Sequence, residues 1–144
     1  MADKNSKATI HFAGSELFVG ITPSGHAQAI ETDSTRGSAA TPMELLLLAL
    51  GSCTGVDVIS ILKKKKQRVS DYRIEVNGER HAEHPRGYTR LHVKHIVRGR
   101  GVSEQAVSSA IELSVTKYCS VAETLRGSAE IISTYEIVED DATE

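Results

Sequence analysis

The segment TPMELLLLALGSCTGVDVISILKKKK, residues 41–66, constrains this chain more than any other. Thr41 offers a helix N-cap, Pro42 suits the first helical position, and Glu44, three residues after the cap, completes a capping box. The residues behind it are apolar on nearly every face, unlike the single stripe of a surface helix, so this helix is expected to be central and enclosed all round. A chain of 144 residues is about one domain in size and can hardly bury such a helix alone. The expectation is a single domain over residues 1–144, working as an obligate dimer. The charge-free run from Leu45 to Val56 is only about half of the roughly 20 residues that span a bilayer, and Asp57 ends it, so no membrane crossing is expected. Lys63 to Lys66 close the helix where cations meet the negative end of its dipole, and read as a solvated terminus.

On either side the pattern changes to that of strands. KATIHF, LFVGI and HAQAIET are short runs with β-branched residues separated by AGSE and TPSG, which predicts a three-stranded meander from Lys7 to Thr32. The loop DSTRGSAA leads into the helix. Two further strands, Tyr72 to Glu79 and Tyr88 to Val97, are joined by the polar turn RHAEHPRG as an antiparallel pair. A second helix is expected from near Ser103, with Ala106, Ala110, Ile111 and Val115 as its buried stripe, Cys119 toward its end and Gly127 as its stop. A last strand follows in AEIISTYEIV, and the acidic tail EDDATE is expected to be loose. The order βββαββαβ indicates an α+β domain whose helices share one side of antiparallel sheet.

Composition removes several function classes. The formal net charge is −2, aromatics are 4% and tryptophan is absent, so neither a basic nucleic-acid footprint nor a stacking platform is visible. The opening MADKNSKATIHF lacks the apolar core of a signal peptide and the Arg-rich look of a transit peptide, which makes the cytoplasm the default. Two cysteines in such a compartment, outside any C-x-x-C pair, are either inert core thiols or a redox pair brought together by folding.

Cys53 lies in LGSCTG, flanked by Gly51 and Gly55. A glycine in a helix interior costs roughly 1 kcal/mol against alanine, so a second helix or a ligand is expected to approach closely here. Cys53 itself is either a small core hydrophobe or a working thiol. Asp57 follows at i+4 on the same face. A carboxylate raises a thiol pKa, so Asp57 is expected to take a hydrogen bond or an ion pair across an interface. The histidines of HAEH and HVKH do not make a metal site: His81 and His84 fall in a turn, while His92 and His95 are three apart on a strand and point to opposite faces. His95 shares its face with Leu91 and Val93. No cofactor is expected.

Taken together, SAATPMELLLLALGSCTGVDVISIL and ELSVTKYCSVAETL resemble the OsmC/Ohr family of thiol-dependent peroxidases, most nearly its shorter YhfA-type branch. The resemblance covers nearly the whole chain, and the two cysteine segments are its most specific parts. It implies an OsmC-like βββαββαβ fold in which antiparallel sheets wrap around central cysteine-bearing helices in an intertwined homodimer, with the site at the subunit interface. It further implies that Cys53 is the peroxidatic thiol, oxidised by a hydroperoxide to a sulfenic acid in oxidative or osmotic stress protection. Cys119 then resolves it as a disulfide, which a small or lipoyl dithiol reduces. Such condensation needs two thiols within disulfide reach.

The sequence departs from the family pattern in three places. The first hairpin, ELFVGITPSGHAQAI, lacks the arginine that activates the thiolate. An ordinary thiol near 8.5 stays mostly protonated at neutral pH, so Arg36, Arg86 or Arg90 would have to substitute. The family carboxylate directly follows the proline, where this chain has Met43. Glu44 comes one later, and is either that catalytic carboxylate or only the capping partner of Thr41. On an unbroken helix it lies about 13.5 Å along the axis from Cys53 and on the opposite side, so any contact must come from the other subunit or a broken helix start. Ser120 replaces the proline that often follows the second cysteine. The rival reading is a catalytically weak protein of the same fold that binds or senses a hydrophobic or electrophilic small molecule at the dimer groove. The third is a domain in which both cysteines are core residues.

Overall fold

The computed structural model describes residues 5–32 and 35–141; Asp33 and Ser34 of the loop before the helix and residues 142–144 of the acidic tail lie outside them. The chain divides into two compact units, residues 1–46 and 47–144.

In the first unit, β1 (Thr9–Phe12), β2 (Leu17–Ile21) and β3 (Ala27–Glu31) form an antiparallel meander in the order β1-β2-β3, as the short β-branched runs and the turns between them predict. Its first turn needs positive φ at Gly14 (103°) and Ser15 (51°), and glycine takes the more strained of the two at little cost. Ile10 and Phe12 are 58% and 68% exposed. Glu31 at the end of β3 is buried: Ser38 donates from its backbone N and its Oγ to Oε1 (3.0 and 2.5 Å), and the Arg36 Nε lies 3.3 Å from Oε2. A buried carboxylate without such partners would cost several kcal/mol, so the loop folds back around it.

The helix α1 (Pro42–Lys64) begins at the first unit's end and runs through the second without a break. Its cap is the reciprocal box read from the sequence: the Thr41 N donates to Glu44 Oε1 (2.9 Å) and the Glu44 N to Thr41 Oγ1 (3.2 Å). Leu50, Thr54, Val58 and Leu62 repeat every four residues and are all buried. With 23 residues, α1 is long and apolar enough by length and composition to cross a membrane. The charge-free run alone therefore understates it, because Asp57 does not end the helix.

The second unit's sheet has the order β4-β5-β6, from β4 (Arg68–Arg80), β5 (Tyr88–Arg100) and β6 (Glu130–Glu139). β4 and β5 pair antiparallel, with irregular register near Val69 and Glu79, but β6 runs parallel to β5 from Arg90↔Glu130 to Gly99↔Glu139. The sheet is therefore mixed, where a wholly antiparallel one was expected. Parallel neighbours need a long crossover, and the segment from Val102 to Ala129 supplies it. β4 begins before its predicted start because Arg68, Ser70 and Asp71 hide the alternation there, and β5 runs past Val97 through Arg98, Gly99 and Arg100.

The expected single second helix is broken. α2 (Glu104–Leu113) is capped by Ser103, whose Oγ accepts from the Ala106 N (3.2 Å). A π-helical turn, Ser114–Tyr118, follows, and α3 (Ser120–Leu125) begins anew after Cys119, which is extended at φ −78° and ψ 103°. Thr116 turns its Oγ1 back to the Glu112 carbonyl (2.7 Å), a contact that bends helices. Val58 and Leu62 of α1, Val97 of β5, Val102, and Ala106, Val107, Ala110 and Ile111 of α2 form the core. The tail is tied down at its start, since Asp140 donates its N to the Gly99 carbonyl (2.9 Å) and the Gly101 N donates to Glu139 (3.1 Å to Oε2); for these two residues the expectation of looseness is corrected.

Candidate functional site

Cys53 stands in the middle of α1, half-buried and unoxidised. The glycines beside it are explained by sheet, not by a second helix or a ligand. A Cβ on Gly51 would lie 3.1 Å from Val76 Cγ2, and one on Gly55 2.5 Å from Ile74 Cδ1. Large β4 side chains press into this stretch, and only residues without a side chain let α1 come so near. On the far side α1 is not enclosed by its own chain, for Leu48 and Val56 are each 66% exposed.

Cys119 is delivered from the broken second helix. It is 3% exposed and serves as the N-cap of α3, its Sγ accepting from the Ala122 N (3.3 Å). Its own N donates to the Ser114 carbonyl (2.7 Å), the closing bond of the π turn. Cys119 and Cys53 are close enough for the Cys53 side chain to raise the Cys119 pKa. Folding thus brings the segments of two cysteines far apart in sequence together, through Thr54, Asp57 and Ser114. Burial pushes the Cys119 thiol up to about 11, and the Cys53 contact and the Asp57 charge push the same way, against the Ala122 bond. Without enough water or cation around it, the thiolate form is disfavoured.

A buried polar link runs beneath the pair. The Thr54 and Ser114 hydroxyls meet at 2.7 Å, and the Ser114 Oγ donates to Asp57 Oδ2 (2.8 Å). Because Ser114 spends its hydrogen on Asp57, the Thr54 hydroxyl is the donor to Ser114. Asp57 therefore takes a hydrogen bond, as expected, but from within its own chain. Next to this link, Tyr72 Oη and His95 Nδ1 lie 2.6 Å apart with the rings stacked at 5.9 Å. His95 is fully buried on the face of Leu91 and Val93, its Nε2 has no hydrogen-bond partner among the described residues, and burial lowers its pKa to about 4. The neutral ring follows from the cost of charging a group that nothing can solvate. Burial, with Asp57 nearby, raises the Tyr72 phenol well above its ordinary range.

His92 is on the other face of β5, with its Nε2 2.5 Å from Glu79 Oε2, as strand alternation requires. Arg36 is paired with Glu31, and Arg90 with Glu130 (3.3 Å) and Glu79 (4.0 Å). Arg86 supplies its carbonyl to the Arg80 Nε (2.7 Å). Glu44 has one carboxylate oxygen in the capping box.

Reasoning from sequence missed Thr54, Ser114, Tyr72 and the break at the π turn. Two signals point to the hydroxyls: Thr54 interrupts the buried repeat Leu50, Val58, Leu62, and Ser114 continues the repeat of Ala106 and Ala110. A polar residue on a buried stripe needs a partner, and these two are each other's.

A family model described as "OsmC-like protein" matches residues 35–134. Protein YhfA of Escherichia coli strain K12 is 38% identical over 132 residues, covering 92% of this chain and 98% of that protein. A hypothetical protein from Aquifex aeolicus VF5 superposes with a TM-score of 0.85 at 32% identity, over 96% of this chain and 100% of that one. An organic hydroperoxide resistance protein OsmC from Legionella pneumophila superposes with a TM-score of 0.68 over 94% of this chain and 99% of that one, and at 15% identity the likeness shows the fold alone.

Proposed function

The chain belongs to the OsmC-like family, and on that premise we propose that it reduces organic hydroperoxides through Cys53 and Cys119, as a cytoplasmic homodimer. The observation that carries the reading is the placement of the two thiols, a half-buried Cys53 and a buried Cys119 on segments linked through Thr54, Asp57 and Ser114, with Cys53 raising the Cys119 pKa. The Cys53 thiolate attacks the terminal oxygen of ROOH, breaking the O–O bond, and leaves as sulfenic acid while the alcohol ROH departs. Cys119 has the opposite character. Shielded from solvent and pushed up to about 11, it stays a thiol during that step and then displaces hydroxide from the Cys53 sulfur, giving the disulfide and water. A small or lipoyl dithiol restores both thiols by exchange.

Leu48 and Val56, exposed on the same helix, favour an apolar substrate and a second subunit over this face, since each buried methylene adds up to about 0.8 kcal/mol. Glu44 joins the site as a carboxylate from that second copy, because α1 is unbroken. The test is a thiol titration before and after one equivalent of an organic hydroperoxide. The expected result is loss of both thiols and a Cys53 to Cys119 crosslink on peptide mapping; retention of both thiols would defeat the reading. A second reading, a weakly turning-over protein that binds or senses an apolar electrophile, is favoured by the arginines, as Arg36 and Arg90 are engaged by carboxylates.

A further inference from the structure

We propose that Ser114 is a positioning residue, which holds Cys119 against Cys53 by tying the π turn to α1. Ser114 is fully buried and makes three bonds to the two segments that carry the thiols. Its side chain receives the Thr54 hydroxyl and donates to Asp57, residues one and four beyond Cys53 on α1. Its carbonyl receives the Cys119 N–H (2.7 Å). The backbone that anchors one cysteine is therefore fastened, by the same residue, to the helical turn that carries the other. The π turn is what allows this: with the donor five positions beyond the acceptor, the Ser114 carbonyl meets the Cys119 N–H, where an α-helix would offer it Tyr118. Cys119 is the point at which the helix breaks, so without the tie the chain there is held by two backbone bonds, its N–H to the Ser114 carbonyl and its carbonyl from the Glu123 N (3.1 Å), and a weak sulfur cap.

The inference deepens the proposed thiol chemistry and rests on it for its purpose. In the resolving step the Cys119 S–H bond and the Cys53 S–OH bond break, the S–S bond forms, and the proton leaves with the hydroxyl as water. No further oxidant or reductant is needed. A buried thiol that is seldom ionised reacts only if it is already held in line with the sulfenic sulfur, and the tie supplies that alignment.

The test measures the Cys53 to Cys119 disulfide at equilibrium with glutathione, in the full-length protein and without any hydroperoxide. The expected result is that Ser114→Ala lowers the effective concentration of the pair tenfold or more, which corresponds to about 30 mV in potential. It should also make Cys53 sulfenic acid persist long enough to be trapped by dimedone after one equivalent of organic hydroperoxide. An effective concentration within twofold of wild type would overturn the proposal. If Ser114→Ala does not fold, Thr54→Val and Thr54→Ser read the same tie from α1: the hydroxyl-free valine should fall at least threefold below the serine, and equality of the two would overturn it. Wild-type thiols that ignore hydroperoxide would defeat the peroxidase reading, while the glutathione measurement would still decide the tie.

Discussion

Two segments of the second unit each carry a cysteine, and they hold it in opposite ways. α1 runs unbroken through Cys53 and leaves that thiol half-buried, beside side chains that solvent can reach. The crossover between β5 and β6 breaks at Cys119 and sinks its thiol to 3% exposure. A regular helix suffices for a group that must meet an incoming molecule, since it fixes position without covering the side chain. In the proposed reading Cys119 reacts with another side chain and has to be aimed, and the aim comes from an irregular backbone held by buried hydroxyls. Burial also sets the chemistry of Cys119, because an enclosed thiol is hard to ionise.

The largest test of this contrast is removal of each thiol. Cys53→Ser should abolish hydroperoxide consumption, and Cys119→Ser should permit one oxidation and then accumulate sulfenic or sulfinic acid at Cys53, read by mass spectrometry. Equal residual turnover in the two variants would erase the assigned roles. Next in size is the pH dependence of alkylation. In the Cys53→Ser protein burial still dominates at Cys119, so its rate with iodoacetamide should rise about tenfold per pH unit from 8 to 10, toward the value of about 11. A plateau before pH 9 would mean the thiol is not desolvated. Glu44→Gln sharpens the comparison from the α1 side. Glutamine preserves a capping box, so stability should change by under about 0.5 kcal/mol, while turnover should fall about tenfold if the carboxylate serves the site. Unchanged turnover would leave Glu44 as a cap alone.

The next effect is on stability in acid. The His95 pKa is lowered from 6.5 to about 4, so between those values the unfolded chain binds a proton that the native one refuses. Stability is intact above about pH 6.5, falls as pH drops toward 4, and loses up to about 3 kcal/mol through this group. Urea unfolding of wild type and His95→Gln at pH 7 and 4.5 should show a smaller acid loss in the variant, and parallel losses would refute the neutral buried ring. Smallest is the comparison of caps. Thr41→Ala should cost about 1 kcal/mol, whereas Cys119→Ser should cost less, because an oxygen replaces the weak sulfur acceptor at the α3 terminus.

Much of the chain could be read without coordinates, and the reasons are local. The capping box at Thr41 and Glu44, the cap at Ser103 and the alternation of β2 and β5 depend on neighbours in sequence, whose spacing decides which groups can meet. What failed had a non-local cause. Nothing near Glu130 announces that β6 lies parallel to β5, since strand direction depends on where the crossover lands. The glycines beside Cys53 announced a close approach but not by what, and Ile74 and Val76 of β4 answered only in three dimensions.

For the thiols the division is the same. Sequence by itself determined a helix around Cys53, a helical segment leading to Cys119 and membership of the OsmC-like family. Tertiary structure alone decided that the second helix breaks at the π turn, that Ser114 finds Thr54 and Asp57 across the core, and that one thiol is enclosed while the other is reachable. The physical reason is that helix spacing and capping are set within about four residues, whereas desolvation and hydroxyl partnership are set by whatever the rest of the chain packs against a residue.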